Sequence, residues 1–539
     1  MTARYLSLVL VALLVQDSTS DGKRWWTHVE FLASDALEGR NVGTPGFEKA
    51  AAYVESQFKE IGLKPGGPSG YRQPVELESR QLIPEGSKLA LVRNGVDEAL
   101  MLREEATLGG RGTLNGSIDA PMVFVGYGLS IPEAGWDDLA GLDLRGKVAV
   151  YANTAAPVDV PDNVRSHLSS APERWAALRK AGAIGVATLP SPPPAPDASQ
   201  RAAATTLVVG GGQPSPQPTV VLVDPELQEY AGLAVSVTLT RRGAEKLFAG
   251  SGHTLEELDG LIADRKPLPR FPLVGTLRVH AALKRETIQS SNVVGIFEGS
   301  DPRLKSEYVV MSAHLDHVGI GRAIDGDDLY NGAMDDASGV ASVIEIARGL
   351  KASEARPKRS ILFIAVTAEE KGLLGSKYFA ARPTVPFTSI VANVNLDMFL
   401  PLYPLKVIEV QGLTESSLGE SVRAAAKELG VDVQTDREPE QNRFIRSDQY
   451  SFIRRGVPSL AFKFGYEFGS PEEKIRREWV RDVYHKPNDD LRQPIDVEAA
   501  ARFNRVILDL LQRVANDAER PRWNETSFFA RFAKPDGQR

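Results

Sequence analysis

The chain has 539 residues, 42% hydrophobic and 25% charged, which is ordinary for a soluble globular protein and long enough for more than one core. A formal net charge of −7 argues against the basic face of a general nucleic-acid binder, so no nucleic-acid partner is expected. There is no cysteine, which excludes disulfides and thiolate metal sites and leaves His and carboxylates as the strong ligands.

In chain order, Arg4 is followed by Tyr5–Val15, an apolar run of signal-peptide length and too short to span a bilayer. With Ser18 and Ser20 next, residues 1–20 are expected to be an export signal for the periplasm or exterior. An uncleaved anchor is the alternative, and no other segment reads as transmembrane. Thr44 as N-cap, Pro45 at the first helical position and Gly62 as terminator predict a helix, with Ala51, Val54, Phe58 and Ile61 on its core face. Glu38-Gly39-Arg40 just before it reads as a turn with solvated charges and is assigned no chemistry.

From about 108 to 269 the texture changes to short strands, Gly turns and a helix, with proline-rich loops at Ser191–Ser199 and Gly210–Pro218. Thr254 and Glu257 form a capping box. His167 and His253 belong to no catalytic constellation here and read as surface residues. Residues 21–107 and 270–520 are then the two parts of a main domain, resuming on the alternating strand Leu277, Val279, Ala281, Leu283, and 521–539 reads as a peripheral tail.

The main domain carries a repeated pattern. Tyr308–Ala313 is a short apolar run that reads as a buried strand, ending in His314 and Asp316. Gly332–Gly339 is a Gly-rich turn with Asp335 and Asp336, followed by a helix with Val340, Val343, Ile344 and Ala347 on its apolar face. Arg359–Val366 ends in Glu369 and Glu370, Ser389–Asn395 is followed by Asp397, and His485 lies in a polar loop with Pro487. Alternating strands and helices predict a three-layer α/β/α domain with a mostly parallel central sheet, and such sheets bind ligands beyond the carboxyl ends of their strands. Singly, each residue has a structural explanation, such as helix capping for Asp335-Asp336 or a favourable first helical turn for Glu369-Glu370. Together, two His and three carboxylates (His314, Asp335, Glu370, Asp397, His485) suit a pair of zinc ions if one carboxylate is shared. Asp325, Asp327 and Asp328 lack the calcium-loop pattern and read as a solvated loop.

AHLDHVG, YNGAMDDASGVA, AEEKGLLGS, NLDM and YHKPND resemble the successive motifs of the di-zinc aminopeptidases (clan MH, family 28 metallopeptidases), which also include glutamate carboxypeptidases, glutaminyl cyclases and a receptor ectodomain. The resemblance implies a main zinc-exopeptidase domain and makes 108–269 similar to the smaller, β-rich protease-associated domain inserted in such enzymes. It implies two Zn2+ per chain, His314 and Asp397 on one, Glu370 and His485 on the other, and Asp335 bridging. By the same resemblance Glu369 is the general base that takes the proton of a water bridging the ions, the resulting hydroxide being the nucleophile, and the Asp316 carboxylate orients His314. Tyr484 is a candidate oxyanion donor, and His317 a supporting or hydrogen-bonding residue. Glu38-Gly39-Arg40 reads equally as part of the family's N-terminal signature, with no chemistry assigned to it.

The stretch from Arg443 resembles a cleft-lining segment, with Arg443 or Arg446 suited to a substrate carboxylate and Ser447-Asp448 followed by Gln449 where the family has His. The expected activity is hydrolysis of peptide bonds at peptide or protein N-termini. The alternatives are a carboxypeptidase or dipeptidase of the same family, or a non-catalytic receptor-like ectodomain.

Overall fold

A computed structural model describes residues 19–114, 116–192, 218–353 and 356–533. The expected leader (residues 1–18) and most of both proline-rich runs (193–217) lie outside the described residues. No described helix is long and apolar enough to cross a membrane. The chain divides into two compact units, one of Met1–Glu76, Ile288–Pro439 and Arg443–Arg539, the other of Leu77–Thr287 with Glu440–Asn442.

The first unit begins with a helix over 19–32 and α1 (Pro45–Ile61), capped as predicted by the Thr44 side chain accepting from the Phe47 N–H and ended by Gly62 at φ 80°. The chain leaves this unit along β1 (Arg72–Leu82) and re-enters along β2 (Leu283–Phe297). There follow β3 (Tyr308–His314), α2 (Ser338–Ala352), β4 (Ser360–Val366), α3 (Leu374–Ala381) and β5 (Ile390–Leu396). The remainder is β6 (Val407–Gln411), α4 (Leu418–Glu428), β7 (Asp432–Thr435), α5 (Gln449–Ile453), β8 (Ser459–Phe464), α6 (Pro471–Asp482) and α7 (Val497–Asn516).

The strands lie in the order β1-β2-β4-β3-β5-β8-β6-β7. The central four, β4, β3, β5 and β8, are parallel, while β2 and β6 flank them antiparallel. These central strands are predominantly apolar because both faces are covered, with Asn393 and Asn395 of β5 and Lys463 of β8 as buried polar exceptions. Val309, Met311 and Ala313 join a core with α1, α2, α4 and α7. Val310, Leu362 and Ile364, facing the other way along the pleat, join a second core with Phe379 and Phe452 of α3 and α5. This is the expected three-layer α/β arrangement, and it brings the carboxyl ends of β3, β4 and β5 to one edge in register, with His314 opposite Val366.

Four sequence-based expectations are corrected. The second unit starts at Leu77 and ends at Thr287, outside the expected 108–269. The strand Phe271–Ala281, expected to resume the main domain, pairs with Gly116–Phe124 and Lys88–Arg93 in the eight-stranded sheet of that second unit. Alternation tells which face of a strand is buried but not which sheet it joins. His167 is 4% exposed rather than on the surface. The tail is not peripheral either: Phe529 is fully buried with Tyr450 and Ile453, its ring 5.3 Å from Phe444, and the Trp523 indole donates to the Gly456 carbonyl at 3.0 Å.

Candidate metal centre

Three parallel strands deliver side chains to one place. His314 is the last residue of β3, Glu369 and Glu370 follow β4, and Asp397 follows β5. Asp335 comes from the turn Ala333–Ala337 that feeds α2, and His485 from the loop after α6. The Asp335 carboxylate stands at the centre. Its Oδ1 is 3.1 Å from His314 Nε2, itself 3.9 Å from Asp397 Oδ1. Its Oδ2 is 3.1 Å from His485 Nε2, which is also 3.1 Å from Glu370 Oε2. Five residues spread over 172 positions of the chain (485 − 314 + 1) thus meet around one carboxylate.

The second imidazole on the Glu370 side was read only as a supporting residue. His317, fully buried, places Nδ1 2.8 Å from Glu370 Oε1 and 3.9 Å from Asp335 Oδ2. The structure therefore contains two overlapping triads that share Asp335, one of His314 and Asp397, one of His317 and Glu370, each with ligand atoms within 4.8 Å of one another. Asp335 Oδ2 and Glu370 Oε1 are buried without a well-formed hydrogen bond. Buried lone pairs left unmet are costly, and several converging on one space fit a bound cation.

The surroundings orient this set. The main-chain carbonyl of Asp316, 3.0 Å from His314 Nδ1, can only accept, so Nδ1 carries the hydrogen and Nε2 is left as the free base facing Asp335 and Asp397. The expectation that the Asp316 carboxylate does this is corrected. That carboxylate instead accepts from the N–H groups of Glu369 (3.0 Å) and Glu370 (3.3 Å), tying the loop after β4 to the end of β3. Asp335 and Asp336 divide the two readings of their pair. Asp336 accepts from Gly339 N at 3.0 Å in the manner of a helix cap, and also from Met398 N and His314 N, leaving Asp335 to the centre.

Two residues of the site went unassigned from sequence. Asp489, fully buried, accepts from Met334 N (2.9 Å) and Asp335 N (3.0 Å) and so sets the backbone of the shared carboxylate. It lies within YHKPND, but nothing in its spacing points to a turn more than a hundred residues away. Lys463 of β8, 8% exposed, donates to the Asp397 carbonyl and lies 3.9 Å from Asp397 Oδ1, and burial lowers its pKa. A lysine inside an otherwise apolar central strand is the one signal that could have found it.

Neighbouring Glu369 and Glu370 titrate in opposite directions. Burial, opposed by His314 and reinforced by the Glu370, Asp448 and Asp397 carboxylates, pushes Glu369 well above the usual carboxylate range. For Glu370 burial acts the same way, but His485 and His317 outweigh it and hold the group below that range. Paired carboxylates whose environments separate them in this way are suited to different roles.

Tyr484 stacks its ring on His485, with centroids 3.9 Å apart, and burial pushes its hydroxyl well above the ordinary value. The segment from Arg443 is placed from the same sheet. Ser312 donates to Asn395 Oδ1 (2.6 Å), and the Asn395 amide donates to Ser447 Oγ (3.0 Å) and Gln449 Oε1 (2.9 Å). Gln449 in turn donates to the carbonyls of Arg443 and Phe444. Asp448 is fully buried, and burial pushes its carboxyl up to about 7 against the pull of His314. Arg443 is engaged by Glu438 at 2.7 Å and lies 3.7 Å from Asp436. Arg446 is half-buried on the same segment.

Residues 292–511, which hold the entire constellation, match peptidase family M28. That segment, rather than the whole chain, is what the family match covers. Among curated proteins, the chain is 29% identical over 272 residues to "probable leucine aminopeptidase 2" of Aspergillus oryzae, covering 48% of this chain and 52% of that one. It is 30% identical over 215 residues to "Aminopeptidase YwaD" of Bacillus subtilis, covering 39% and 42%. The chain thus spans about half or less of the length of these curated relatives. Among solved structures, the aminopeptidase from Aneurinibacillus sp. strain AM-1 superposes with a TM-score of 0.52 at 20% identity over 94% of this chain and 95% of that one, which shows a shared fold.

Proposed function

We propose that this protein is a zinc aminopeptidase, with two zinc ions per chain and peptide or protein N-termini as substrates. His314 and Asp397 would hold one ion and Glu370 and His485 the other, with Asp335 available to both. The observation that carries the reading is the Asp335 carboxylate, whose two oxygens each lie 3.1 Å from a different imidazole, one backed by Asp397 and the other by Glu370. A His and carboxylate donor set suits zinc, and the buried, unmet Asp335 Oδ2 and Glu370 Oε1 fit such an occupant. His317, with Nδ1 2.8 Å from Glu370 Oε1, serves to orient that ligand. The curated relatives' names, leucine aminopeptidase and aminopeptidase, agree with this class.

When bound, paired zinc ions supply Lewis acidity, lowering the pKa of a shared water towards about 7 and polarising the scissile carbonyl. The chain's own residues do the rest. Glu369, whose burial raises its proton affinity, is a stronger base than an ordinary glutamate; its carboxylate takes the proton of the attacking water and returns it to the leaving amine. The Asp316 carboxylate fixes Glu369 through its N–H. The Tyr484 hydroxyl, its ring set by stacking on His485, donates to the oxygen on which charge develops. The hold of Glu438 on Arg443 favours the aminopeptidase over a carboxypeptidase, which needs a cation for a free carboxylate.

The test is a zinc count on protein purified without chelators, with a panel of aminoacyl anilides, N-acetylated peptides and C-terminally free dipeptides. Two zinc ions and cleavage that requires a free amino group are expected. Cleavage of N-acetylated substrates with a free carboxylate, or two bound ions with no hydrolysis, overturns the assignment.

A further inference from the structure

Glu38-Gly39-Arg40 has no chemistry assigned from sequence, where a solvated turn is one of its two readings. The structure buries Arg40 completely. All three residues are left-handed (φ 47°, 66° and 50°), and at Gly39 a Cβ would stand 2.2 Å from the Tyr330 carbonyl oxygen, so only glycine fits the turn that sends Arg40 inward. Its guanidinium donates only to main-chain carbonyls: Nε to Leu315 (3.0 Å), Nη1 to Leu32 (2.5 Å) and Asn331 (2.6 Å), Nη2 to Gly332 (3.0 Å). The Arg40 carbonyl in turn accepts from the His317 N–H at 3.3 Å.

Leu315 is bonded to His314 and Asp316, and Gly332 opens the turn that presents Asp335. One side chain therefore ties together the two segments that face each other across the first triad. Burying a charge is expensive unless opposite charge offsets it. Here burial lowers the guanidinium pKa to about 10, and the carboxylates of Asp489, Asp316, Asp335 and Asp336 offset that cost in part, without any of them accepting a hydrogen bond from it among those four donations. A lysine has no rigid fork with which to reach both segments at once.

We propose that Arg40 is a positioning residue of the metal centre, its guanidinium pinning the Leu315 and Asn331–Gly332 main chain so that His314 and Asp335 stand at their mutual distance before any metal arrives. The proposal rests on the function proposed above. Arg40→Lys and Arg40→Gln, purified metal-free and titrated with zinc against a competing chelator and with Co2+ in the visible range, test it. Loss of such support around metal ligands typically weakens affinity about 10–100-fold, and that weakening with an altered Co2+ band is expected in both variants. Wild-type affinity and an unchanged Co2+ band in folded Arg40→Lys overturn it. Hydrogen exchange on the metal-free wild-type protein needs no variant. Amides of 315–317 and 331–335 are expected to be protected without metal, and protection that develops only on adding zinc also overturns the proposal. A wild-type chain that binds no zinc at all removes the functional reading instead, while the exchange measurement still reports on Arg40.

Discussion

The two sides of the Asp335 carboxylate are built from different material. On one, His314 ends a central strand, its side chain 1% exposed, and Asp397 follows the neighbouring parallel strand. Strand register alone sets their separation, and the Asp316 carbonyl and Asp336 carboxylate lock the rest. On the other side His485 stands on a loop at φ 53°, with its side chain 35% exposed and its ring held by Tyr484. The contrast teaches that the sheet supplies a buried wall while the loop supplies a solvent-facing rim, so the proposed function makes the rim the expected side for substrate entry and metal exchange.

The largest effect is expected from removing what both sides share. Asp335→Asn leaves His314 and His485 without their common carboxylate, so zinc content should fall on both sides and hydrolysis should drop to the assay background. Retention of wild-type zinc by this variant would sink the shared-ligand arrangement. Next comes Glu369→Gln, which touches neither side directly. General-base catalysis is worth about 10²–10⁴-fold, so kcat should fall by that range while zinc content is unchanged; loss of metal in parallel would make Glu369 a ligand instead.

Much of this was legible in the sequence, for physical reasons. Doubly covered parallel strands must be predominantly apolar, so β3, β4 and β5 announce themselves, and the residues that follow them stand at one sheet edge by construction. The α1 boundaries followed from Thr44 and Gly62. What stayed hidden is whatever depends on which atom of a residue acts or on contacts remote in sequence. Asp316 works on His314 through its carbonyl and on the next loop through its carboxylate, and a sequence cannot separate those. His317 and His485 compete for the same side of the site, although one is three residues past a strand end and the other follows α6. Phe271–Ala281 alternates equally well for either sheet. The Arg40 contacts are to main-chain oxygens, which every residue carries, so no residue type betrays them.

The comparison of the two sides is sharpened by truncating each imidazole. His485→Ala also takes a partner from Asp335 and Glu370, but at the half-exposed rim water can replace the imidazole, so one zinc should become chelator-labile while thermal stability stays close to wild type. His314→Ala strips a partner from Asp335 inside the buried wall, and stranding a buried polar group costs about 1–3 kcal/mol, so the melting temperature should fall as well. Equal destabilisation by both variants would erase the wall-and-rim distinction.

The smallest effect concerns the support beneath the shared carboxylate and is read in metal-free protein. Burial lifts the Asp489 carboxyl up to about 7, against the N–H of Met334 and with the repulsion of Asp335 adding to it, whereas an unfolded aspartate titrates near about 3.9. A carboxyl raised by folding binds its proton more tightly in the native state. Its contribution to stability is therefore full below about pH 3.9 and is lost as pH rises through about 7. Asp489→Asn removes this titration but keeps one acceptor oxygen for the Met334 and Asp335 amides. Between pH 5 and pH 8 the metal-free wild-type protein should therefore lose more thermal stability than the variant. Parallel melting profiles would mean that Asp489 is not the group that carries this dependence.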